Sequence, residues 1–382
     1  MLTIPTKRLA EAVKACGALA TSKHIPILAC ARIEASGGVM TLTANDLDMQ
    51  ITYTIPDADG DLAATCVDAQ KLRDAATRIG AGGDLKFSLG ETLSIKGDGG
   101  SARLPTLSAL EYPSFGAVED PEIVARVSGG MLTSALAAVA PAMSTEQTRY
   151  YLCGVALWRD SEGLRLGASD GRQLIFARLS DAAIDAGCHG VDGGVIIPSA
   201  TVKMLPDAIG EVAIRANAQR IEIAEGRWTV LSRLIDKRPL DSLDRVTPER
   251  GACWADVDAA ELVAAVERVA WAADGRQPNI CMTLREGEIQ VDAWDGHGRA
   301  ATSAVPADVR LDGGPPMEIG LFAHVLLPVV RGMGSEVVGL SWAKGNAVAP
   351  VRIDAVGPKD GQRWGVAMPC RMSKPQEMKH AA

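Results

Sequence analysis

The chain has 382 residues, 47% of them apolar and 23% charged, with 39 lysines and arginines against 47 aspartates and glutamates and a formal net charge of −8. This is the composition of a globular protein long enough for two or three domains, each with its own core. The acidic balance argues against nucleic-acid binding over the whole surface and leaves a local basic face as the route to it.

The eight cysteines, Cys16, Cys30, Cys66, Cys153, Cys188, Cys253, Cys281 and Cys370, are scattered, with no C-x-x-C pair and no metal-ligand spacing, which fits a reducing, cytosolic setting. No signal-peptide pattern opens the chain and no apolar run approaches the roughly 20 residues that span a bilayer, so a soluble, cytoplasmic protein is expected.

In chain order, a short strand at 2–5 leads to a helix over 6–16, where Leu9, Val13 and Cys16 share a face and Thr6 is the expected N-cap. Strands at 27–35 and 38–44 follow, then a helix over 68–79 before Gly80 and a strand at 92–96. The order returns as strand 124–127, helix 131–140, strands 154–159 and 163–168, helix 199–209 before Gly210, and strands 220–223 and 228–234. It returns again as strand 253–257, helix 259–270, strands 280–285 and 288–293, helix 321–331 before Gly332, and strand 351–356. Each round carries a hairpin whose second strand ends in Ala-x-Asp, at Asp46, Asp170 and Asp295, 124 and then 125 positions apart. A domain-sized period predicts three similar domains, 1–121, 122–250 and 251–372, each β-α-β-β-β-α-β-β-β, with a frayed polar tail at 373–382. The helices are mostly rich in alanine and carry one apolar stripe, so they should lie on a sheet through one face.

The repeated aspartates are the first candidates for chemistry. Spread over three domains, they cannot converge within the few Å that acid–base or metal catalysis needs, so they are expected to cap turns; a phosphodiesterase built on them is the enzymatic alternative. The run at 57–61 lacks the glycine position and closing glutamate of a calcium loop. The five histidines form no metal motif, and the glycine-rich pieces at 80–83 and 332–334 lack the Lys-Ser/Thr of a phosphate loop. No nucleophile motif is present, so no enzyme, cofactor or metal is expected.

Seven segments stand in order on this repeat: Ile25-Pro-Ile-Leu28, Ala44-Asn-Asp-Leu-Asp-Met49, Thr148-Arg-Tyr-Tyr-Leu-Cys-Gly154, Ala168-Ser-Asp-Gly-Arg-Gln-Leu174, Val195-Ile-Ile-Pro198, Asp244-Arg-Val-Thr-Pro248 and Val366-Ala-Met-Pro-Cys-Arg371. Together they resemble the bacterial sliding clamp family, the beta subunits of DNA polymerase III, from residue 1 to about 372. The resemblance implies an α+β DNA clamp fold, three domains of two helices on antiparallel sheets, and a homodimer closed head to tail into a ring around duplex DNA. The implied function is that of a processivity factor, which tethers a polymerase without sequence readout or catalysis and recruits a clamp loader. A clamp-like scaffold that binds partners without encircling DNA is the alternative.

The resemblance also implies a pocket for a hydrophobic partner peptide, walled by Leu152, Ser169, Gly171, Arg172, Gln173, Leu174, Pro239, Arg245, Val246, Val348, Val366, Met368, Pro369 and Arg371. Gln173 stands where arginine is common, Gln277 and Val325 where aromatics often sit, Phe322 where asparagine is frequent and Cys370 where methionine is usual, departures that suggest a diverged copy. Ring closure would pair the strand around Ala102 and Leu104 with the region of Trp271 and Ala272 in the other copy. Contacts to DNA would fall to Lys14, Lys71, Arg73, Arg78 and Lys203 on helices, with Lys23, His24, Arg149, Tyr150 and Tyr151 beside them. These are few, since 131–142 carries no charge, so binding should be weak and easily abolished by salt.

Overall fold

The computed structural model describes residues 1–185, 194–237, 248–249, 251, 253–273, 275, 278–295, 297–343, 346–359 and 361–372. They form two compact units, one drawn from Met1–Leu132, Asp181–Val191 and Ala200–Asp236, the other from Thr133–Ser180, Asp192–Ser199 and Lys237–Ala382. Each unit is organised by one antiparallel sheet, of 13 strands in the first and 12 in the second.

In the first unit the sheet runs Leu2–Pro5, Asp84–Leu89, Thr92–Gly97, Gly100–Ser108, Leu62–Asp68, Cys30–Ser36, Val39–Asn45, Met49–Pro56, Trp228–Arg233, Arg220–Glu225, Glu211–Ala216, Ile123–Ser128 and Ala183–Ile184. Strands from the first and middle thirds of the chain meet where Tyr53 stands opposite Trp228 and Met49 opposite Ser232. Helix α1 (Thr6–Leu19) lays Leu9, Ala12, Val13 and Cys16 inward, and α2 (Ala69–Ile79) does the same with Leu72, Ala75 and Ala76. Each large apolar side chain so buried contributes about 1.5–3 kcal/mol. The two helices touch where Gly17 has no side chain and its carbonyl accepts the Gln70 amide. Burial pushes the Cys16 thiol up to about 12, so this cysteine is a core residue rather than a reactive one.

In the second unit the order is Val195–Pro198, Gly154–Asp160, Gly163–Ser169, Gln173–Leu179, Arg363–Ala367, Val351–Val356, Val337–Trp342, Cys253–Asp258, Ala300–Arg310, Glu288–Trp294, Asn279–Arg285 and Met317–Phe322. Among the described residues the other α-helices of the chain are α3 (Gly129–Val139), α4 (Ser199–Met204), α5 (Ala259–Ala270) and α6 (Ala323–Met333). Helices α5 and α6 pack on each other and on one face of this sheet. Gly365 lets α6 come close, since a Cβ there would stand 2.6 Å from Val329 Cγ1.

Several elements differ from the sequence expectation. Four strands, not three, separate the paired helices of the first repeat; the additional one, Leu62–Asp68, runs straight into α2 with no turn residue between them. Asp68 serves as the N-cap, accepting Lys71 N–H at 2.8 Å, so strand and helix share one boundary residue. Thr6 is the first helical residue rather than the cap, which is Pro5. Helix α4 stops at Met204 because Pro206 follows and disfavours helical backbone before it. Helix α6 runs on past Gly332 to Met333, and Gly334, at φ 59°, provides the left-handed stop.

Candidate partner-peptide site

The hairpin Gly163–Ser169 and Gln173–Leu179 turns at residues 170–172. Asp170 Oδ1 accepts the N–H of Arg172 at 2.8 Å and of Gln173 at 2.9 Å, while Ser169 Oγ accepts Gly171 N–H at 3.0 Å and donates to the Gln173 carbonyl at 2.7 Å. Asp46 does the same for Asp48 and Met49, and Asp295 for His297 and Arg299. All three repeated aspartates are thus turn caps, bonded to amides two to four residues on. Burial pushes the Asp295 carboxyl up, but the Arg299 guanidinium and the two amides outweigh it and hold the group at about 2. Among the described residues no group of His, Cys, Asp and Glu side chains could hold a metal ion.

Gly171 sits at φ +88°, and a Cβ there would meet Arg149 Nη1 at 2.6 Å, so both conformation and space call for glycine. Arg149 is fixed by Glu146, whose Oε2 accepts from Nη2 at 2.6 Å. Gln173 is only 6% exposed; its Nε2 donates to Asp170 Oδ2 at 3.0 Å and its Oε1 has no partner among the described residues. It therefore supports the turn from inside.

Leu174 stands opposite Val366, and both belong to a buried cluster with Ala156, Trp158 and Phe176, against which Trp364 packs. Phe176 meets Trp158 edge-on at 5.3 Å between ring centroids and Trp364 at 3.9 Å. The chain leaving this last strand is pinned twice: Met368 N–H donates to the Arg172 carbonyl and Cys370 N–H to the Gly320 carbonyl, each at 2.8 Å. It passes the turn and then Met317–Phe322, leaving Met368 and Arg371 exposed and Pro369 half-buried. The Arg172 guanidinium lies over the Phe322 ring at 5.6 Å, and His324 stands 5.4 Å from that ring. Burial and the Arg172 charge lower the His324 pKa, with Asp170 opposing them.

Ser169, Gly171, Arg172, Gln173, Leu174, Val366 and Met368 are thus tied together by these bonds and pairings. Leu152 ends the turn segment Gln147–Leu152 half-buried, and Val348 is exposed in the turn after Asn346. Pro239, Arg245, Val246 and Gln277 lie outside the described residues. Val325 is fully buried, so an aromatic would not fit there as a surface contact. His324 was not among the residues expected here; its only sequence signal is its position two residues after Phe322, where strand passes into helix. An apolar floor, an exposed thioether and a cationic, aromatic shelf suit an extended peptide with apolar side chains.

The family model described as the DNA polymerase III beta subunit, N-terminal domain, matches residues 1–116, and that of the central domain of the same subunit matches residues 126–239. The chain belongs to the DNA polymerase III beta subunit family, the beta sliding clamps. The beta sliding clamp of Caulobacter vibrioides is 28% identical over 319 residues, covering 80% of this chain and 82% of that one. That of Pseudomonas putida is 25% identical over 366 residues, 93% and 95% of the two chains. The solved beta sliding clamp of Caulobacter crescentus superposes with a TM-score of 0.84 at 26% identity, over 97% of this chain and 98% of that one. The Pseudomonas aeruginosa DNA polymerase sliding clamp, at 23% identity, gives 0.86 over 97% and 99%, a likeness of fold.

Within the clamp, Lys14, Lys71 and Arg78 are exposed on α1 and α2, as are Lys203 on α4 and Lys23 and His24 on the segment after α1. Arg73 is half-buried, 3.6 Å from Asp74. Tyr150 is exposed, whereas Tyr151 lies under the Lys237 ammonium at 5.3 Å. Ala102 and Leu104 are half-buried on Gly100–Ser108. Trp271 is 65% exposed with its indole N–H on the Arg268 carbonyl at 2.8 Å, but Ala272 points into the core.

Proposed function

We propose that this clamp works as a processivity factor: two copies close head to tail around duplex DNA, without sequence preference, and hold a polymerase and a clamp loader through short apolar peptides. Membership of the beta sliding clamp family, supported by two domain models in register along the chain, carries this reading. The peptide would lie on Leu174, Val366 and Met368 beside the 170–172 turn, with Leu152, Ser169, Gly171, Arg172, Gln173, Val348, Pro369 and Arg371, and with Pro239, Arg245 and Val246. Lys14, Lys71, Arg73, Arg78, Lys203, Lys23, His24, Arg149, Tyr150 and Tyr151 would meet the DNA. The three repeats 1–121, 122–250 and 251–372 would be the three clamp domains of a cytoplasmic protein.

Two strands support ring closure. Gly100–Ser108 has no buried residue and Ala300–Arg310 has only Val305 buried, whereas Met49–Pro56 and Gln173–Leu179, which pair with strands from the next third of the chain, bury half or more of theirs. Among the described residues, 100–105 pair only with Thr92–Gly97 and 300–306 only with Glu288–Trp294, so each strand keeps one side open for part of its length, and a head-to-tail dimer would join one to the other. Trp271 belongs to this surface, because the Arg268 guanidinium three residues before it donates to Ser303 Oγ at 3.0 Å. Primer extension with the cognate polymerase and loader tests the reading: single-encounter products should lengthen at least tenfold when the chain is added. Unchanged product length would reject it.

A further inference from the structure

Arg363 opens the strand Arg363–Ala367 and is only 8% exposed, yet both of its hydrogen-bond acceptors are neutral. Its guanidinium donates from Nη1 to the Gly332 carbonyl at 3.2 Å and from Nη2 to Ser134 Oγ at 2.6 Å. Lys359, half-buried, donates from Nζ to the Gly334 carbonyl at 2.7 Å. Among the described residues neither cation has a carboxylate partner, and the exposed Glu336, two residues past Gly334, pairs with neither. A Cβ on Gly334 would stand 2.6 Å from Arg363 Nη1 and 3.0 Å from Lys359 Nζ, so the two cations crowd one point at the end of α6. Burial pushes the pKa of both groups down, and the Arg363 charge lowers that of Lys359 further.

A buried charge is unfavourable unless a counter-charge meets it. The carbonyl end of α6 supplies roughly half a negative charge, which leaves about one and a half positive charges uncompensated. Helix α3 adds none, because residues 131–142 are uncharged. It does lie close by: a Cβ on Gly332 would stand 2.9 Å from the Ala138 carbonyl, and Ser134 of α3 holds the guanidinium. Ser134 and Gly334 are exposed, so solvent reaches this junction. Donors are left over there as well. Nη1 and Nη2 each keep a second N–H, Nζ keeps two, and the Ser134 hydroxyl, which accepts from Nη2, keeps its own hydrogen to donate. Water would satisfy these donors but not the charge. Two cations and a hydroxyl suit a tetrahedral oxyanion, whose several oxygens each accept charge-assisted bonds.

We propose that Arg363, Lys359 and Ser134 form a phosphate-binding site where α3 meets the end of α6. The phosphate comes either from the backbone of the duplex or from a free phosphate-bearing small molecule, and the test separates them. Only the duplex arm rests on the encirclement reading. The full chain is titrated into inorganic phosphate at constant ionic strength, following the ³¹P line width. Saturable broadening is expected, weakened at least tenfold in Lys359→Met. Ser134→Asp gives the guanidinium a carboxylate of its own, so phosphate binding should be lost and the melting temperature should rise. Binding of a 20-base-pair duplex at low salt is then compared by fluorescence anisotropy. A loss of at least threefold in Lys359→Met identifies the DNA backbone as the source, and unchanged duplex affinity with phosphate binding lost identifies a free phosphate-bearing ligand. The proposal is overturned if inorganic phosphate shows no saturable broadening, or if folded Lys359→Met or Ser134→Asp binds it as tightly as the parent.

Discussion

Gly167 stands directly opposite Phe176, and a methyl group there would come within 2.8 Å of ring atoms Cδ1 and Cε1 of Phe176 and 3.0 Å of Trp158 Cη2. Neither ring has room to step aside. Phe176 is 1% exposed and has the Trp364 ring 3.9 Å away on another side. Gly167→Ala is therefore an overpacking change costing about 1–3 kcal/mol, against about 0.4–1 kcal/mol regained from a less flexible unfolded chain. The steric term wins, and a net loss of about 1–2 kcal/mol is expected in urea unfolding followed by tryptophan fluorescence. Leu174 and Val366 belong to the same cluster, so the floor of the peptide site should shift with it. Affinity for an apolar clamp-binding peptide, read by fluorescence polarisation, should fall about tenfold for each 1.4 kcal/mol of binding energy forfeited. Phe176→Leu in the Gly167→Ala background should restore much of both. Stability within about 0.5 kcal/mol of the parent, or no rescue, would refute the steric reasoning.

Other expectations follow from the same geometry. Gly171→Ala must adopt φ near +88° and displace the Arg149 guanidinium, so thermal unfolding should show a loss of about 1–3 kcal/mol. Asp170→Ala removes the acceptor of the Arg172 and Gln173 amides and should cost about 1–3 kcal/mol in the same assay. His324 has a folded-state pKa below its ordinary 6.5, so its neutral ring is favoured in the fold. Its contribution to stability is present above pH 6.5 and lost as pH falls through the lowered value; melting curves from pH 8 to 5 should show a steeper decline in the parent than in His324→Phe. Replacing Lys71 and Arg78 by alanine should weaken DNA binding on all sequences alike and flatten the plot of log K against log salt by about 0.9 for each phosphate no longer neutralised.

The hairpins and their capping aspartates were legible because alternation and the Asx turn are local: Asp46, Asp170 and Asp295 each bond amides within four residues. Helix α5 was readable from its alanine-rich stripe and proved to be capped by Asp258, which accepts the Glu261 amide. Leu62–Asp68 escaped because it carries no turn residue before α2, and α4 was drawn too long because its apolar spacing continues through Pro206. The joining of Met49–Pro56 to Trp228–Arg233, and of Gln173–Leu179 to Arg363–Ala367, depends on pairing between distant segments, to which no periodicity points. For the same reason the stack of Trp158, Phe176 and Trp364 over Gly167 was invisible, although it supports Leu174 and Val366, two residues expected at the site from their motifs alone. Gln173, expected in the pocket wall where arginine is common, is buried and braces the turn through Asp170, a contact that its place in the motif did not reveal.

The claim that this clamp holds DNA by encirclement rather than by affinity is tested most directly on a nicked circular duplex. The chain is loaded with its cognate loader and ATP, free protein is removed by gel filtration at moderate salt, and half of the sample is cut once with a restriction enzyme. Retention on the circle with release on linearisation is the predicted result. Equal retention on circle and linear duplex, or no retention on either, would contradict it.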